Sequence, residues 1–280
     1  MDQRPLLAPD GLELHRQHWP AAEPAHGSVL LVHGLGEHVG RYAALADRLA
    51  VAGWHVVGYD QRGHGWSPGP RGGLPSDDAL LADLGAAVEH ARGRVPAPLV
   101  LLGHSLGGLV AARYVAGGLD AAPWWRAGVD ALVLSSPALA LDMNPLQKFL
   151  LATLGRLAPD LALGNGLEPA WISRDPAVVE AYVNDAQVHD RITPRLARFM
   201  VDAGAAVRAR APRWSMPTLL LWAGADRCVA ARGSREFADA APRTVVEAHC
   251  FEALAHEIFN EPERGRVQDV LLGWLAGRSP

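Results

Sequence analysis

The sequence predicts an α/β protein with a doubly wound, mostly parallel sheet and a helical cap inserted before the seventh core strand. Three observations carry this reading. Short apolar runs bounded by turn residues alternate with helical stretches through most of the chain. Continuously apolar strands are those buried on both faces, and helices between them are what parallel strands need for their connections. One such run ends in a serine flanked by glycines where a helix begins. Between Pro137 and Met216 the alternation stops, and the chain becomes helical and strand-poor.

Taken in order, residues 28–33 read as a strand, 42–49 as a helix, 55–60 as a strand and 78–91 as a helix. The apolar run 98–102 is the next strand and leads through Gly103-His104-Ser105-Leu106-Gly107-Gly108-Leu109 into a helix continued by residues 110–115. Strand 131–136 follows. After the insertion come strands at 218–222 and 244–248 and a last amphipathic helix over 262–275. The expected organisation is a core in two parts, 1–137 and 216–280, with a cap over 138–215. Such a cap would lie above the carboxyl ends of the strands, where sheets of this kind bind ligands.

Composition narrows the function classes. The chain has 280 residues, 49% hydrophobic and 20% charged, which suits a globular enzyme with a substantial core. A net charge of −4 offers no basic field for nucleic acid. Cys228 and Cys250 lack metal-type spacing and read as buried free thiols of a reducing compartment. The opening Met1-Asp2-Gln3-Arg4-Pro5 lacks the pattern of a signal peptide and no apolar run is long enough to span a membrane, so a cytoplasmic location is expected.

Gly103-His104-Ser105-Leu106-Gly107 after a strand describes a nucleophile elbow, a turn so tight that a Cβ beside the serine would clash. A serine hydroxyl needs a histidine base, and that histidine needs a carboxylate to hold it. On such a fold the chain order is Ser, then Asp or Glu, then His, each just past a strand end. Asp226 directly follows strand 218–222, and His256 lies between strand 244–248 and the last helix. His104 reads as packing, and Asp130 precedes its strand, at the wrong end of the sheet. Asp60 and His64 form a competing pair, but Asp60-Gln61-Arg62-Gly63-His64-Gly65 reads better as a turn held by side-chain hydrogen bonds. The oxyanion donors are expected to be the Leu106 amide and, from His33-Gly34-Leu35-Gly36, the Leu35 amide.

These motifs, together with Glu37-His38, Arg41-Tyr42, Trp66-Ser67, Ser135-Ser136-Pro137, Ala225-Asp226-Arg227 and His256-Glu257, resemble the monoacylglycerol lipase and lysophospholipase branch of the α/β-hydrolases. The resemblance runs from about Val29 to Leu275. It implies the α/β-hydrolase fold and a serine hydrolase, with no metal or cofactor, acting on single-chain acyl esters of glycerol. It maps a catalytic triad onto Ser105, Asp226 and His256, and an oxyanion pair onto Leu35 and Leu106. Residues for the polar glycerol end map onto Glu37, Arg41 and Tyr182.

The leading expectation is therefore an esterase that cleaves monoacylglycerol to fatty acid and glycerol through an acyl-enzyme. A lysophospholipase or broad short-chain carboxylesterase would use the same machinery, and a non-catalytic receptor is the alternative from another class. Serine at position 105 excludes aspartate-nucleophile relatives. The expected partner is a small-molecule acyl ester or lipid, with no nucleic acid and no obligate protein partner. At the start of the cap, Leu146, Phe149, Leu150, Leu154 and Leu157 recur at helical spacing. Two readings stand for them: a helix packed on the core, or one with an apolar edge at the pocket mouth that makes transient contact with a membrane surface.

Overall fold

The computed structural model describes residues 5–22, 25–119 and 128–278. Met1 to Arg4, on which the expectation of no leader largely rested, lie outside them. Among the described residues no helix is long and apolar enough to cross a membrane.

A short ribbon of β1 (Leu6–Leu7) and β2 (Glu13–Leu14) precedes the main sheet. That sheet has seven strands: β3 (Arg16–Trp19), β4 (Gly27–Val32), β5 (Trp54–Tyr59), β6 (Leu99–His104), β7 (Ala131–Ser135), β10 (Thr218–Ala223) and β11 (Val246–Phe251). Their spatial order is β11-β10-β7-β6-β4-β5-β3. All neighbours run parallel except the edge pair β3 and β5. The strand that follows the insertion is thus the sixth of this sheet in chain order. It falls one short of the expected seventh, and β1 and β2 pair only with each other.

The central strands β4, β6, β7 and β10 are buried along their whole length, which is why they read as unbroken apolar runs. Side chains of alternate parity feed two cores. One face carries α2 (Ala79–Arg92), α3 (Ser105–Ala116), α6 (Pro194–Arg210) and α7 (Ala231–Ala240), packed around Leu101, Leu109, Phe199 and Phe237. The other carries α1 (Ala43–Val51) and α8 (Arg264–Ala276), packed around Leu31, Trp54, Leu102 and Leu271.

Residues 138–215 contain α4 (Pro145–Leu157), a two-residue ribbon of β8 (Leu163–Gly164) and β9 (Arg191–Ile192), α5 (Pro176–Asn184) and α6. The three helices start alike. Asn144, Asp175 and Thr193 each cap the first free amides with a side-chain oxygen, and a proline follows at the first helical position. Their burial differs sharply. No residue of α4 or α5 is buried, whereas α6 buries Leu196, Phe199, Met200, Ala203 and Val207 against the core that contains α3. The outer part of the segment therefore stands off the sheet, and its last helix belongs to the packed core.

Candidate active site

The chain leaves β4 for one side of the sheet and returns through β6 to the other, so the crevice between their carboxyl ends is a topological switch point. The loops carrying Leu35 and Ser105 both start there. Ser105 adopts φ 53°, a left-handed conformation that costs an L-residue roughly 1–2 kcal/mol. It is tolerated because its surroundings leave no alternative. A Cβ on Gly103 would run into the Gly107 carbonyl, and one on Gly107 into the carbonyls of Val32 and His33. The turn can close only with glycine at both places. It presents the hydroxyl at the head of α3, where first-turn amides lack intrahelical acceptors.

The structure brings Ser105, His256 and Asp226 together. His256 Nε2 is 2.9 Å from Ser105 Oγ, and His256 Nδ1 is 2.7 Å from Asp226 Oδ2. The other carboxylate oxygen of Asp226 accepts from the amides of Cys228 (2.8 Å) and Val229 (3.0 Å). Burial works against charging the imidazole, but the Asp226 carboxylate, and after it Glu257 and Glu37, outweighs burial, so His256 titrates above its ordinary value. Burial likewise opposes the Asp226 charge, and His256 with the two amides holds that carboxyl below its ordinary value. These hydrogen bonds form a relay in which the imidazole can take the serine proton while the charged carboxylate holds it in place.

The Cys228 thiol comes within 4.8 Å of the Asp226 and His256 donor atoms. A cation could enter that group only by displacing bonds the relay already makes. Both cysteines are free thiols, half-buried where the sequence reading expected them buried.

Leu35 and Ser105 line one cavity of about 490 Å³, with Leu151, Leu154, Trp171, Ile192, Met200 and Val229 among its other walls. The volume lies within the roughly 300–1,000 Å³ common for small-molecule sites. Arg227 lies over the Trp171 ring at 4.7 Å and closes one side.

Glu37 and Arg41 occupy a different place from the cavity wall. Glu37 accepts from the Gly34 amide (2.5 Å), the Tyr42 hydroxyl (2.6 Å) and Arg41 Nη1 (2.9 Å). Arg41 also forks onto Glu257 at 2.5 and 2.9 Å, and Tyr182 lies 4.8 Å from its guanidinium carbon. Glu37, Arg41 and Glu257 form an enclosed ion cluster beside the loop that carries Leu35, with Tyr42 and Tyr182 against it. From sequence Glu257 entered only as part of the His256-Glu257 motif, with no role assigned, and Glu261 was not singled out. Glu261, fully buried, accepts from the Ala255 amide beside His256 and from Ser173 and Arg174 of the 138–215 segment. The signal available for them was three glutamates, Glu257, Glu261 and Glu263, within seven residues after the histidine.

Asp60 accepts from the Val39 and Trp66 amides, and its own carbonyl accepts from Ser67 Oγ. His64 Nδ1 is bonded to the Arg62 carbonyl. Gln61 donates through its amide to His33 Nε2 and through its side chain to the His33 carbonyl, which ties this turn to the loop that carries Leu35. Asp60→Ala is expected to strand two amides and to cost about 1–3 kcal/mol for each that stays unpaired. Urea unfolding of that variant, alongside its kcat at saturating substrate, separates loss of stability from loss of chemistry. His104 Nδ1 bonds Ser135 Oγ, and its buried ring stays neutral, with a pKa pushed down to about 3.

Comparison with known proteins agrees with this geometry. A family model described as serine aminopeptidase, S33 (Hydrolase_4) matches residues 23–263. The chain is 35% identical over 261 residues to the monoacylglycerol lipase of Mycolicibacterium smegmatis, covering 92% of this chain and 90% of that protein. An abhydrolase domain-containing protein of Dictyostelium discoideum is 33% identical over 98% of this chain, which spans only 29% of that longer protein. The crystal structure of Paleococcus ferrophilus monoacylglycerol lipase superposes with a TM-score of 0.85 at 36% identity, covering 96% of this chain and 100% of that one. With a family model matched over most of its length, a sheet of this order and a serine at the elbow, the chain belongs to the serine aminopeptidase S33 family of α/β-hydrolases, as a monoacylglycerol lipase-like serine hydrolase.

Proposed function

We propose that the protein hydrolyses carboxylic esters of single-chain acyl lipids, monoacylglycerol foremost, with Ser105 as nucleophile, His256 as general base and acid, and Asp226 as its orienting carboxylate. Ser105 Oγ attacks the ester carbonyl while His256 Nε2 takes its proton. The Leu35 and Leu106 amides receive the oxyanion, and the protonated imidazole hands its proton to the departing glycerol oxygen. Water, deprotonated by the same imidazole, then attacks the acyl-enzyme carbonyl, and the bond to Ser105 Oγ breaks as His256 returns the proton to that oxygen and the fatty acid leaves. The observation that carries this reading is the Ser105–His256–Asp226 relay set against an apolar cavity of about 490 Å³. In the same reading residues 138–215 act as the cap, with α6 as its anchor on the core.

A turnover panel tests the substrate class: monoacylglycerols of graded chain length, lysophospholipids, p-nitrophenyl esters and an aminoacyl p-nitroanilide. The highest kcat/KM is expected on a monoacylglycerol, and preference for the anilide or the lysophospholipid would contradict the assignment.

The cap is also proposed to meet lipid surfaces transiently. Leu146, Phe149 and Leu157 are more than 60% exposed on α4, and Leu150, 43% exposed, also lines the cavity. An exposed apolar edge continuous with a lipid-sized pocket is suited to drawing substrate from an interface. Phe149→Asp is expected to lower binding to phosphatidylcholine vesicles and kcat/KM on long-chain esters, while leaving butyrate hydrolysis and Tm nearly unchanged. Each CH₂ buried contributes ~0.8 kcal/mol, so the loss should grow with chain length. An equal loss on short and long chains would return α4 to a packing role.

A further inference from the structure

We propose that Arg41 and Glu257 are a positioning pair: they tie the loop that carries the general base to the loop that carries the oxyanion donor, and they keep one uncompensated negative charge beside His256. This rests on the reading of Ser105, Asp226 and His256 given above and extends it to residues that act through the loops around them. Glu257 is the chain neighbour of His256, and its carboxylate receives both terminal nitrogens of Arg41, at 2.5 and 2.9 Å. The same guanidinium reaches Glu37, whose other oxygen accepts from Gly34, the residue before Leu35. A continuous chain of hydrogen bonds therefore runs from the oxyanion loop to the base loop across 216 residues of sequence. Glu257 is pinned further by its amide bond to the Ile172 carbonyl and by Asn260 Nδ2.

The charges do not balance. Glu37 and Glu257 supply two negatives against one guanidinium, all three with side chains no more than 10% exposed. A buried pair held by a planar fork fixes geometry more than it adds stability. The surplus negative charge has a use in the reaction, because the imidazole becomes positive when it takes the serine proton. The groups facing that imidazole are Asp226, Ser105, Cys228, the neutral His104 ring at 4.7 Å, and the Glu37–Arg41–Glu257 cluster. Glu257 and Glu37 both act to favour its charged form, behind Asp226. Tyr182 over Arg41 brings α5 of the cap onto the same cluster.

The test is the pH dependence of kcat/KM for p-nitrophenyl butyrate in wild type, Glu257→Gln and Glu257→Asp. Glu257→Gln removes the charge and keeps the shape. It is expected to move the rising limb to lower pH and to lower the plateau about tenfold, less than the ~10²-fold that a full 1 Å misplacement costs. Glu257→Asp restores the charge and should return the limb toward the wild-type pH. A folded Glu257→Gln protein with an unshifted limb would overturn the proposal, as would failure of the Asp variant to restore the limb. If Glu257→Gln does not fold, Tyr42→Phe carries the test, because it removes one bond to Glu37 and leaves every charge in place. Its kcat should fall severalfold with KM and limb unchanged, and an unchanged kcat would overturn the linkage. Absence of fluorophosphonate labelling at Ser105 in the wild type would instead sink the underlying reading, so the two failures are distinguishable.

Discussion

Ser105→Ala is expected to lower kcat by about 10⁶, to the level that binding and oxyanion donors alone sustain. Alanine keeps the Cβ and the same cost at φ 53°, and the hydroxyl it removes is bonded to His256 at 2.9 Å. Folding should therefore survive. Steady-state hydrolysis of p-nitrophenyl butyrate and a thermal melt check both halves. Residual activity within about tenfold of wild type, in protein free of contaminating esterase, would remove Ser105 from the chemistry.

Asp226→Asn is expected to lower kcat by about 10⁴, because an amide in that place favours the wrong tautomer of the imidazole. It also removes the largest influence holding the His256 pKa above its ordinary value. The remaining activity should thus rise with pH along a limb displaced to lower pH than in the wild type. The sign follows from the base being active only when neutral: a lower pKa frees it at lower pH. A pH–rate profile of both proteins measures this. Asp60→Asn serves as the rival, and equal damage from that change in folded protein would contradict the assignment to Asp226.

Ser105 and Asp226 could be found in the sequence because each follows a strand that declares itself as an apolar run, and His256 by its place in the chain order, since the strand before it is mostly exposed or half-buried. The edge of the sheet was less legible. Arg16-Gln17-His18-Trp19 is polar and half-buried, so it carries neither an apolar run nor clean alternation, and its antiparallel pairing with β5 gave no signal. The strand expected over 244–248 begins two residues later, at Val246, because its exposed positions hide the period. In residues 138–215, helical periodicity identified one apolar face, from Leu146 to Leu157, but not what it meets. Leu196, Phe199 and Val207 turn onto the core, while Leu146, Phe149 and Leu157 face outward. Glu37 and Arg41 were read as contacts for glycerol. Their closure onto Glu257 is a long-range ion pair, and no local pattern records a partner 216 residues away.

The central claim, a single nucleophile at the β6–α3 elbow, is tested most directly by labelling the intact protein with a fluorophosphonate and mapping the modified peptide by mass spectrometry. The predicted result is one adduct per chain, on Ser105, with turnover lost in proportion to labelling and no adduct in Ser105→Ala. An adduct on another residue, labelling that persists in Ser105→Ala, or full turnover by labelled protein would contradict it.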